Sequence, residues 1–377
     1  MADQKFEPTR LRLARTFFGI AQGELGERVG ASRQFIHQLE SGLRAPSSEM
    51  VDALAAALLV EGDFFFRAVE SEISQENCNF RSLQSSRVRD LEQVISYGAL
   101  LAELLRLLEE ELEFPQANFP KIKVSDLEGV ERAAELARNH WLLTIDQPIV
   151  STIRVAENAG AVVIKFLGVA SEIDALSVYG SRPLIVRSSG KESPSRLRFD
   201  IAHEIGHLVM HQEGKTKEHE EMETQAHRFA SAFLLPRKAF VREFPRGRRL
   251  DWQSIFAIKR KWIVSAQAIL RRARDLELID AAQYRSGNIF ISKQGYKRKE
   301  PYEPTEAEKP EMLRTALIVL QQSKGMLPKD VAHKLRVQPV LLGNLLGLPI
   351  PNLNVADARK IVNLNARLDW SKAKWPQ

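Results

Sequence analysis

The sequence is poor in cysteine, with only Cys78 among 377 residues. A single cysteine excludes an internal disulfide and any metal site built from cysteines alone, which is typical of a reducing compartment. No apolar run is long enough to span a membrane, and the N-terminal MADQKFEPTR lacks the apolar core of a signal peptide. The sequence therefore predicts a cytoplasmic protein without a membrane partner.

Composition and charge narrow the class of protein only slightly. Hydrophobic residues make up 44% of the chain and charged residues 27%, as in ordinary globular proteins, and the length suffices for two or three domains. The net charge of +6 and a pI near 9.3 permit nucleic-acid binding without demonstrating it. Basic clusters at 237–249, 259–274 and 293–299 are expected to be solvated surface, with a partner-binding face as the alternative.

The most informative segment is SRLRFDIAHEIGHLVMH, residues 195–211, which contains the pattern HExxH. On a helix, His203 and His207 share a face, so both imidazoles can bind one ion, and Glu204 can reach a water on that ion. The flanking residues are apolar, and burying two histidines with a glutamate is costly unless they are paired or bind a metal. The segment predicts a catalytic zinc site, the alternative being a core helix with a satisfied histidine pair.

A catalytic zinc site needs a third protein ligand. The nearby candidates are His211, His219, Glu220, Glu221, Glu223 and His227. His211 follows His207 by one helical turn, and three ligands on one straight helix fit a tetrahedral ion poorly. Glu223 opens a second helical segment, ETQAHRFASAFLLP, whose apolar face would pack on the first. We predict zinc ligation by His203, His207 and Glu223, with His227 in reserve and Glu204 as general base.

The HExxH segment and the helical segment that follows it resemble a known protein family. RFDIAHEIGHLVMH, followed by ExxAxxFASAFLLP, resembles the ImmA/IrrE family of metallopeptidases, and the similarity extends from about residue 138 to about residue 301. The family commonly has Asn or Asp where this chain has His227, so the surroundings of the ligands are expected to differ. The resemblance implies a small zincin-like domain, and relatives of this kind cleave helix-turn-helix repressors.

Residues Pro8 to Phe66 predict five short helices. The run Gly30-Ala31-Ser32 predicts a tight turn followed by a serine N-cap, which is typical of a helix-turn-helix. The segment resembles the Xre family of lambda-repressor and Cro-like domains over its whole length.

In such domains the third helix enters the major groove of DNA. The resemblance implies that Arg33, Gln34 and His37 reach base edges, while Gln22 and Ser32 hold phosphates. Because Xre-type domains typically bind two half-sites as dimers, a homodimer is expected. Helix-turn-helix folds also serve as protein-docking modules, which is the alternative.

The segments outside the two motifs are less specific. A charged, helix-prone stretch from about residue 68 to 113 carries the leucine stripe LLAELLRLLEEELEF, either packed on its own domain or forming a seam between two subunits. AVVIKFLG, ALSVYG and PLIVRSS predict short strands, with Tyr179 or Ser177 either lining the cleft or facing solvent. GMLPKDVAHKLRVQPVLLGNLLGLP repeats the helix-turn-helix pattern, but its leucines favour packing or docking over base reading.

Together these observations predict a mostly helical α+β protein: an N-terminal helix-turn-helix bundle (1–67), a helical linker or dimerisation segment (68–125), a central zincin-like domain with a small sheet (126–303) and a helical C-terminal region (304–377). The predicted function is a regulator that binds operator DNA and carries a zinc endopeptidase, whose substrate is a helix-turn-helix repressor or the chain itself. The alternative is a non-enzymatic regulator or antitoxin-like repressor whose peptidase-like domain senses a ligand or docks a partner.

Overall fold

The computed structural model describes residues 5–68, 78–80, 88–166, 175–178, 182–188, 193–212 and 219–347. The five predicted N-terminal helices are confirmed. They are α1 (Pro8–Phe17), α2 (Gln22–Val29), α3 (Arg33–Glu40), α4 (Ser48–Ala57) and a closing 3-10 helix (Gly62–Phe66).

The rest of the described chain is also mostly helical. Its helices are α5 (Val88–Glu111), α6 (Leu127–His140), α7 (Thr152–Asn158), α8 (Pro194–Met210), α9 (His219–Leu234), α10 (Arg237–Glu243), α11 (Trp252–Trp262), α12 (Ala266–Asp275), α13 (Ala281–Lys293), α14 (Met312–Lys324), α15 (Pro328–Lys334) and α16 (Pro339–Leu346). Its strands are β1 (Cys78–Phe80), β2 (Val162–Phe166), β3 (Ala175–Val178) and β4 (Leu184–Ser188). The mostly helical α+β class is therefore confirmed.

The turn between α2 and α3 depends on two glycines and a serine. Gly30 ends α2 with a φ of 69°, a left-handed conformation that glycine adopts at little cost. The Ser32 hydroxyl accepts a hydrogen bond of 3.1 Å from the Phe35 amide, which confirms the predicted N-cap. A β-carbon at Gly26 would lie 2.6 Å from the Ala31 carbonyl oxygen, so only glycine permits this approach.

Among the described residues, the strands form one sheet in the order β1-β3-β4-β2. Strands β2 and β4 are parallel, and β3 pairs antiparallel with both β4 and β1. Strands β2, β3 and β4 lie in the segments that the sequence predicted as strands. Strand β1 was not predicted, because its three residues lie in a stretch interpreted as helix-prone. So short a strand is specified by pairing with β3 rather than by its own pattern.

The sheet separates two hydrophobic cores. Successive side chains of a strand point to opposite faces. Accordingly Val162 and Ile164 of β2 lie in a core shared with the N-terminal bundle, while Val163 lies in the core under α8 and α9. The C-terminal helices α14 and α16 and the zinc-motif region thus contact the sheet, and the N-terminal bundle shares the core on the side of Val162 and Ile164.

The leucine stripe of α5 is part of the first core. Leu101, Leu104 and Leu108 have no exposed surface, and they pack with the N-terminal bundle and the C-terminal helices. The stripe is therefore packed within its own chain. Leucines buried in this way are not available to a second copy, and a dimerisation role for the rest of the segment remains a prediction.

The C-terminal helices are joined to the N-terminal bundle by a short antiparallel bridge. Val60 lies opposite Val337, the Glu61 amide donates to the Arg336 carbonyl at 2.8 Å, and the Gln338 amide donates to the Leu59 carbonyl at 2.9 Å. Leucines of α16 that the sequence placed in a possible third helix, Leu341, Leu342 and Leu345, are buried. This region packs on the rest of the chain, as its composition favoured.

The second core surrounds the zinc-motif helix. Its large side chains include Trp141, Phe229, Phe233 and Trp262, all at least 97% buried. The buried carboxylate of Glu131 on α6 accepts hydrogen bonds from Arg272 on α12, one of them at 2.8 Å. This core holds α8 and α9 in the arrangement that forms the candidate site.

Candidate metal centre and DNA-reading helix

The two histidines of HExxH lie on one face of α8 and are buried. His203 is fully buried and His207 is 2% exposed. Their spacing of four residues brings the rings together, with centroids 4.8 Å apart. The neighbouring helix α9 packs closely on α8 at Gly206, which carries no side chain to separate them. Close packing of α9 is what allows a side chain of that helix to reach both imidazoles.

Three side chains named in the sequence analysis converge at this point. Nε2 of His203 lies 3.1 Å from Nε2 of His207. The Glu223 carboxylate completes a triangle, with Oε2 at 3.3 Å from His203 Nε2 and Oε1 at 3.2 Å from His207 Nε2. The structure thus brings His203, His207 and Glu223 together, and their role as metal ligands remains a prediction.

The residues fit a zinc ion. Ligand atoms at about 2.0–2.2 Å from a tetrahedral ion lie about 3.3–3.6 Å from one another, and the three sides of the triangle, 3.1–3.3 Å, are close to the lower end of this range. Two imidazoles and one carboxylate are a ligand set that catalytic zinc sites use, with the fourth position left for water or substrate. These residues have the chemistry and the spacing that zinc requires.

The protonation states also suit a cation. Burial lowers the pKa of His203 to about 3, so this imidazole is neutral at pH 7. Burial raises the pKa of Glu223, but the adjacent His203 and His207 outweigh burial, and the pKa falls well below its usual range. A neutral imidazole and an ionised carboxylate are the forms that bind metal.

Two further histidines lie around the triangle. His227 has a ligand atom within 4.8 Å of those of His203 and Glu223, and its ring centroid is 4.6 Å from that of His203. It is therefore close enough to remain the reserve ligand. His211 is directed elsewhere: its Nδ1 lies 3.0 Å from Nδ1 of His207, on the side of that ring away from the triangle.

Glu204 follows His203 directly on α8 and is 1% exposed. Its position one residue from the first histidine is the one that the HExxH pattern gives to a general base. The assignment of that role is a prediction.

The candidate DNA-reading residues lie at the start of α3. Ser32, Arg33, Gln34 and His37 are exposed, whereas Ile36 on the same helix is fully buried. The helix therefore presents its polar side chains to solvent, as a helix that enters the major groove requires.

The orientation of α3 is fixed by a buried ion pair. The Glu40 carboxylate at the end of α3 accepts hydrogen bonds from Arg15 Nη2 at 2.9 Å and from Gln22 Nε2 at 2.7 Å. Gln22 is thus tied to α3, and its second N–H is left for a phosphate. The phosphate contact itself remains a prediction.

Comparison with protein families gave two matches. Residues 11–65 match the helix-turn-helix family, and residues 156–274 match the IrrE N-terminal-like domain. The chain joins a DNA-binding helix-turn-helix domain to a peptidase-like domain. No curated protein matched the sequence. Among the described helices, none combines the length and apolar character needed to cross a membrane.

A cleft in the peptidase-like domain shares His227 with the surroundings of the triangle. It has a volume of about 590 Å³, and its lining includes Phe199, Asp200, Thr224, His227 and Tyr284. His227 connects the cleft to the donor atoms, because it lies against His203. For the two residues predicted to line a cleft, Ser177 lies in β3, whose backbone alone is described, and Tyr179 lies outside the described residues.

Glutamates that follow α13 contact α8, the helix that carries His203 and His207. Glu303 accepts hydrogen bonds from the Ser195 amide at 3.2 Å and the Ser195 hydroxyl at 2.9 Å, in the first turn of α8. Glu308 pairs with the buried Arg198 of α8 and accepts from the Ile153 amide of α7 at 2.9 Å. Acidic side chains at helix N-termini are favourable because they satisfy amides left free there.

The sequence did not identify the polar side chains behind His207. Gln225 of α9 is 97% buried, and its Oε1 lies 2.9 Å from Nε2 of His211. Two signals were available: His211 one turn beyond His207, and a glutamine on the apolar face of the second helix. Neither signal indicates on its own that the two side chains meet.

Proposed function

We propose that this protein is a DNA-binding regulator with a working zinc endopeptidase, which cleaves a helix-turn-helix repressor or its own chain. The observation that carries the proposal is the triangle of His203 Nε2, His207 Nε2 and the Glu223 carboxylate, with sides of 3.1–3.3 Å. A triangle of this size, whose surroundings share His227 with a cleft, supports a catalytic rather than a purely structural metal.

In this proposal each residue has a defined role. His203, His207 and Glu223 hold the zinc, which when bound supplies Lewis acidity toward a peptide carbonyl and toward water. Glu204 takes the proton of the attacking water and delivers it to the leaving amine. The cleft lined by Phe199, Tyr284 and their neighbours receives the peptide.

The DNA-binding role follows from the exposed face of α3. Arg33, Gln34 and His37 contact base edges in the major groove, and Ser32 and Gln22 contact phosphates. A homodimer on two half-sites is proposed, with its contacts outside the α5 stripe, because that stripe is buried within the chain. The domain boundaries at 67, 125 and 303 are part of the same proposal.

A second function is favoured by one observation. The N-terminal bundle, α5, the C-terminal helices and one face of the sheet share a single core. A ligand or partner bound at the peptidase-like domain would therefore act on the DNA-binding domain through packed side chains, without cleavage. In this alternative the chain is a non-enzymatic regulator or antitoxin-like repressor.

Glu204→Gln separates the two functions, because glutamine cannot take a proton but preserves the size of the side chain. The purified protein, loaded with zinc, would be incubated with helix-turn-helix repressors encoded near its own gene, and its own chain would be followed by mass spectrometry. We expect cleavage by the wild type and none by Glu204→Gln, with equal zinc in both. Zinc-loaded wild type that cleaves neither the repressors nor itself would favour the non-enzymatic function.

A further inference from the structure

We propose that Gln225 is a positioning residue that fixes the tautomer of His207, so that Nε2 of this ring presents a lone pair to the metal. The inference rests on the proposed zinc site and adds to it the side chains that prepare one ligand. A neutral imidazole carries one proton on one of its two ring nitrogens, and in His207 we place that proton on Nδ1.

The side chains form a continuous chain of contacts behind the triangle. Nδ1 of His207 lies 3.0 Å from Nδ1 of His211, and Nε2 of His211 lies 2.9 Å from Oε1 of Gln225. The Gln225 amide nitrogen donates to Oε1 of Glu221 at 2.8 Å. His207, His211 and Gln225 are at least 92% buried, so water does not compete freely for these contacts.

The carboxylate at the end of the chain determines its direction. An ionised carboxylate only accepts hydrogen bonds, so the nitrogen of the Gln225 amide faces Glu221 and its oxygen faces His211. That oxygen accepts, and Nε2 of His211 must therefore carry a proton. With one proton on each ring, Nδ1 of His211 is then the acceptor and Nδ1 of His207 is the donor. The single proton of His207 is thereby placed on the nitrogen away from the triangle.

This tautomer leaves lone pairs facing one another at the triangle. Nε2 of His207 offers a lone pair and the Glu223 carboxylate offers two oxygens, and this tautomer places no proton of His207 between them. These atoms and Nε2 of His203, with contacts of 3.1–3.3 Å between the three side chains, are a favourable arrangement for a divalent cation. Metal-binding histidines commonly have such a hydrogen-bonded partner on their second nitrogen.

The other histidine of the pair provides a contrast within the same site. Nδ1 of His203 is buried and has no hydrogen-bond partner among the described residues. The chain of contacts therefore acts on one of the two imidazole ligands. This asymmetry makes the inference testable, because substitutions at Gln225 should change His207 and leave His203 largely unaffected.

The tautomer can be measured in the metal-free full-length protein. Long-range 1H–15N spectra distinguish protonated from unprotonated imidazole nitrogens, with His207→Gln providing the assignment. In the wild type we expect His207 to carry its proton on Nδ1. In Gln225→Met, which keeps the volume but not the acceptor, we expect that preference to be lost. A wild-type proton on Nε2 of His207 would overturn the inference.

Zinc affinity gives an independent readout, measured by competition with a chelator. Loss of a side chain that supports a ligand typically weakens metal binding about 10- to 100-fold, and we expect this for Gln225→Met. Gln225→Glu keeps an acceptor toward His211 and should retain most of the affinity. Glu221→Gln should weaken binding more than Glu220→Gln, which removes the same charge from the adjacent, exposed residue.

The failures of the two proposals are distinguishable. A wild type that binds no zinc overturns the proposed site, while the His207 tautomer still tests the chain of contacts. A wild type that binds zinc, with Gln225→Met equal to it in affinity and tautomer, overturns the inference alone. Equal losses in Glu221→Gln and Glu220→Gln would also contradict it, because they would show a general effect of charge.

Discussion

Gly206 of α8 lies directly against the Phe229 ring of α9, so a β-carbon at position 206 would approach Cδ1 of that ring to 2.9 Å. The same two helices carry His203, His207 and Glu223. Their separation is therefore set at a residue beside the second histidine, and it determines whether the carboxylate of α9 reaches both imidazoles.

Substitution of this glycine should separate the helices. Overpacking of a core costs about 1–3 kcal/mol, which exceeds the gain of about 0.5–1 kcal/mol that alanine has over glycine in a helix. We expect Gly206→Ala to lower both the free energy of unfolding and the zinc affinity. Gly23→Ala in α2 is the matched control, because nothing lies within 4 Å of its new β-carbon, and it should not destabilise the protein. If Gly206→Ala had the same free energy of unfolding and the same zinc affinity as the wild type, the tight packing of α8 on α9 would be contradicted.

DNA recognition depends on the exposed residues of α3. Each base contact is worth about 1–3 kcal/mol, so Arg33→Ala with Gln34→Ala should lower operator affinity at least about 10-fold. The operator would first be selected from random DNA with the wild type. Arg12→Ala removes the same charge from α1, where Arg12 pairs with Glu92, and should retain specific binding. Equal operator affinity of the double variant and the wild type would exclude α3 as the reading helix.

A buried carboxyl gives the stability of the protein a specific pH dependence. Burial raises the pKa of Glu157 from 4.5 to about 8, although the amides of Glu311 and Met312 donate to it. The folded state holds this proton more tightly than the unfolded state, so the stabilising contribution is complete at low pH and is lost as the pH rises through about 8.

Glu157→Gln should remove this dependence. Urea unfolding below pH 4.5 and above pH 8 would give the free energies, and the wild type should lose stability relative to the variant over that interval. Glu110→Gln on the exposed side of α5 controls for the loss of a charge and should change stability by less than about 0.5 kcal/mol. Parallel pH profiles for the wild type and Glu157→Gln would show that this carboxyl does not titrate as expected.

The junction between the N-terminal bundle and the C-terminal helices can be tested at a single valine. Val337 is 3% exposed in the bridge to Val60, whereas Val340 is 60% exposed two residues into α16. We expect Val337→Ala to destabilise by about 1–3 kcal/mol and to speed hydrogen exchange at the Glu61 and Gln338 amides. Val340→Ala should do neither. The same result for both valines would mean that the junction is not a stabilising contact.

Sequence patterns predicted the parts of the fold that depend on local chemistry. Residues close together in the sequence specify three such features: the N-cap at Ser32, the turn at Gly30 and the helical spacing of His203 and His207. Residue types and periodicity therefore predicted the helix-turn-helix and the three candidate ligands that lie together in the structure.

Features that depend on contacts between residues far apart in the sequence could not be predicted from local patterns. Strand β1 exists because it pairs with β3, about 100 residues away, and its own three residues carry no strand pattern. The leucine pattern of α5 predicted the helix correctly, but it did not show which parts of the chain these leucines pack against. The contact of His211 with Gln225 joins two helices, and neither residue type specifies it alone.

The proposed endopeptidase function depends on a zinc ion held by His203, His207 and Glu223. Elemental analysis of the purified full-length protein, with wild type beside Glu223→Ala and the double variant His203→Ala with His207→Ala, tests it directly. We expect about one zinc per wild-type chain, weakened binding in Glu223→Ala and no zinc in the double variant. A wild type without metal after zinc is added back, or a double variant that retains stoichiometric zinc, would contradict the proposed site.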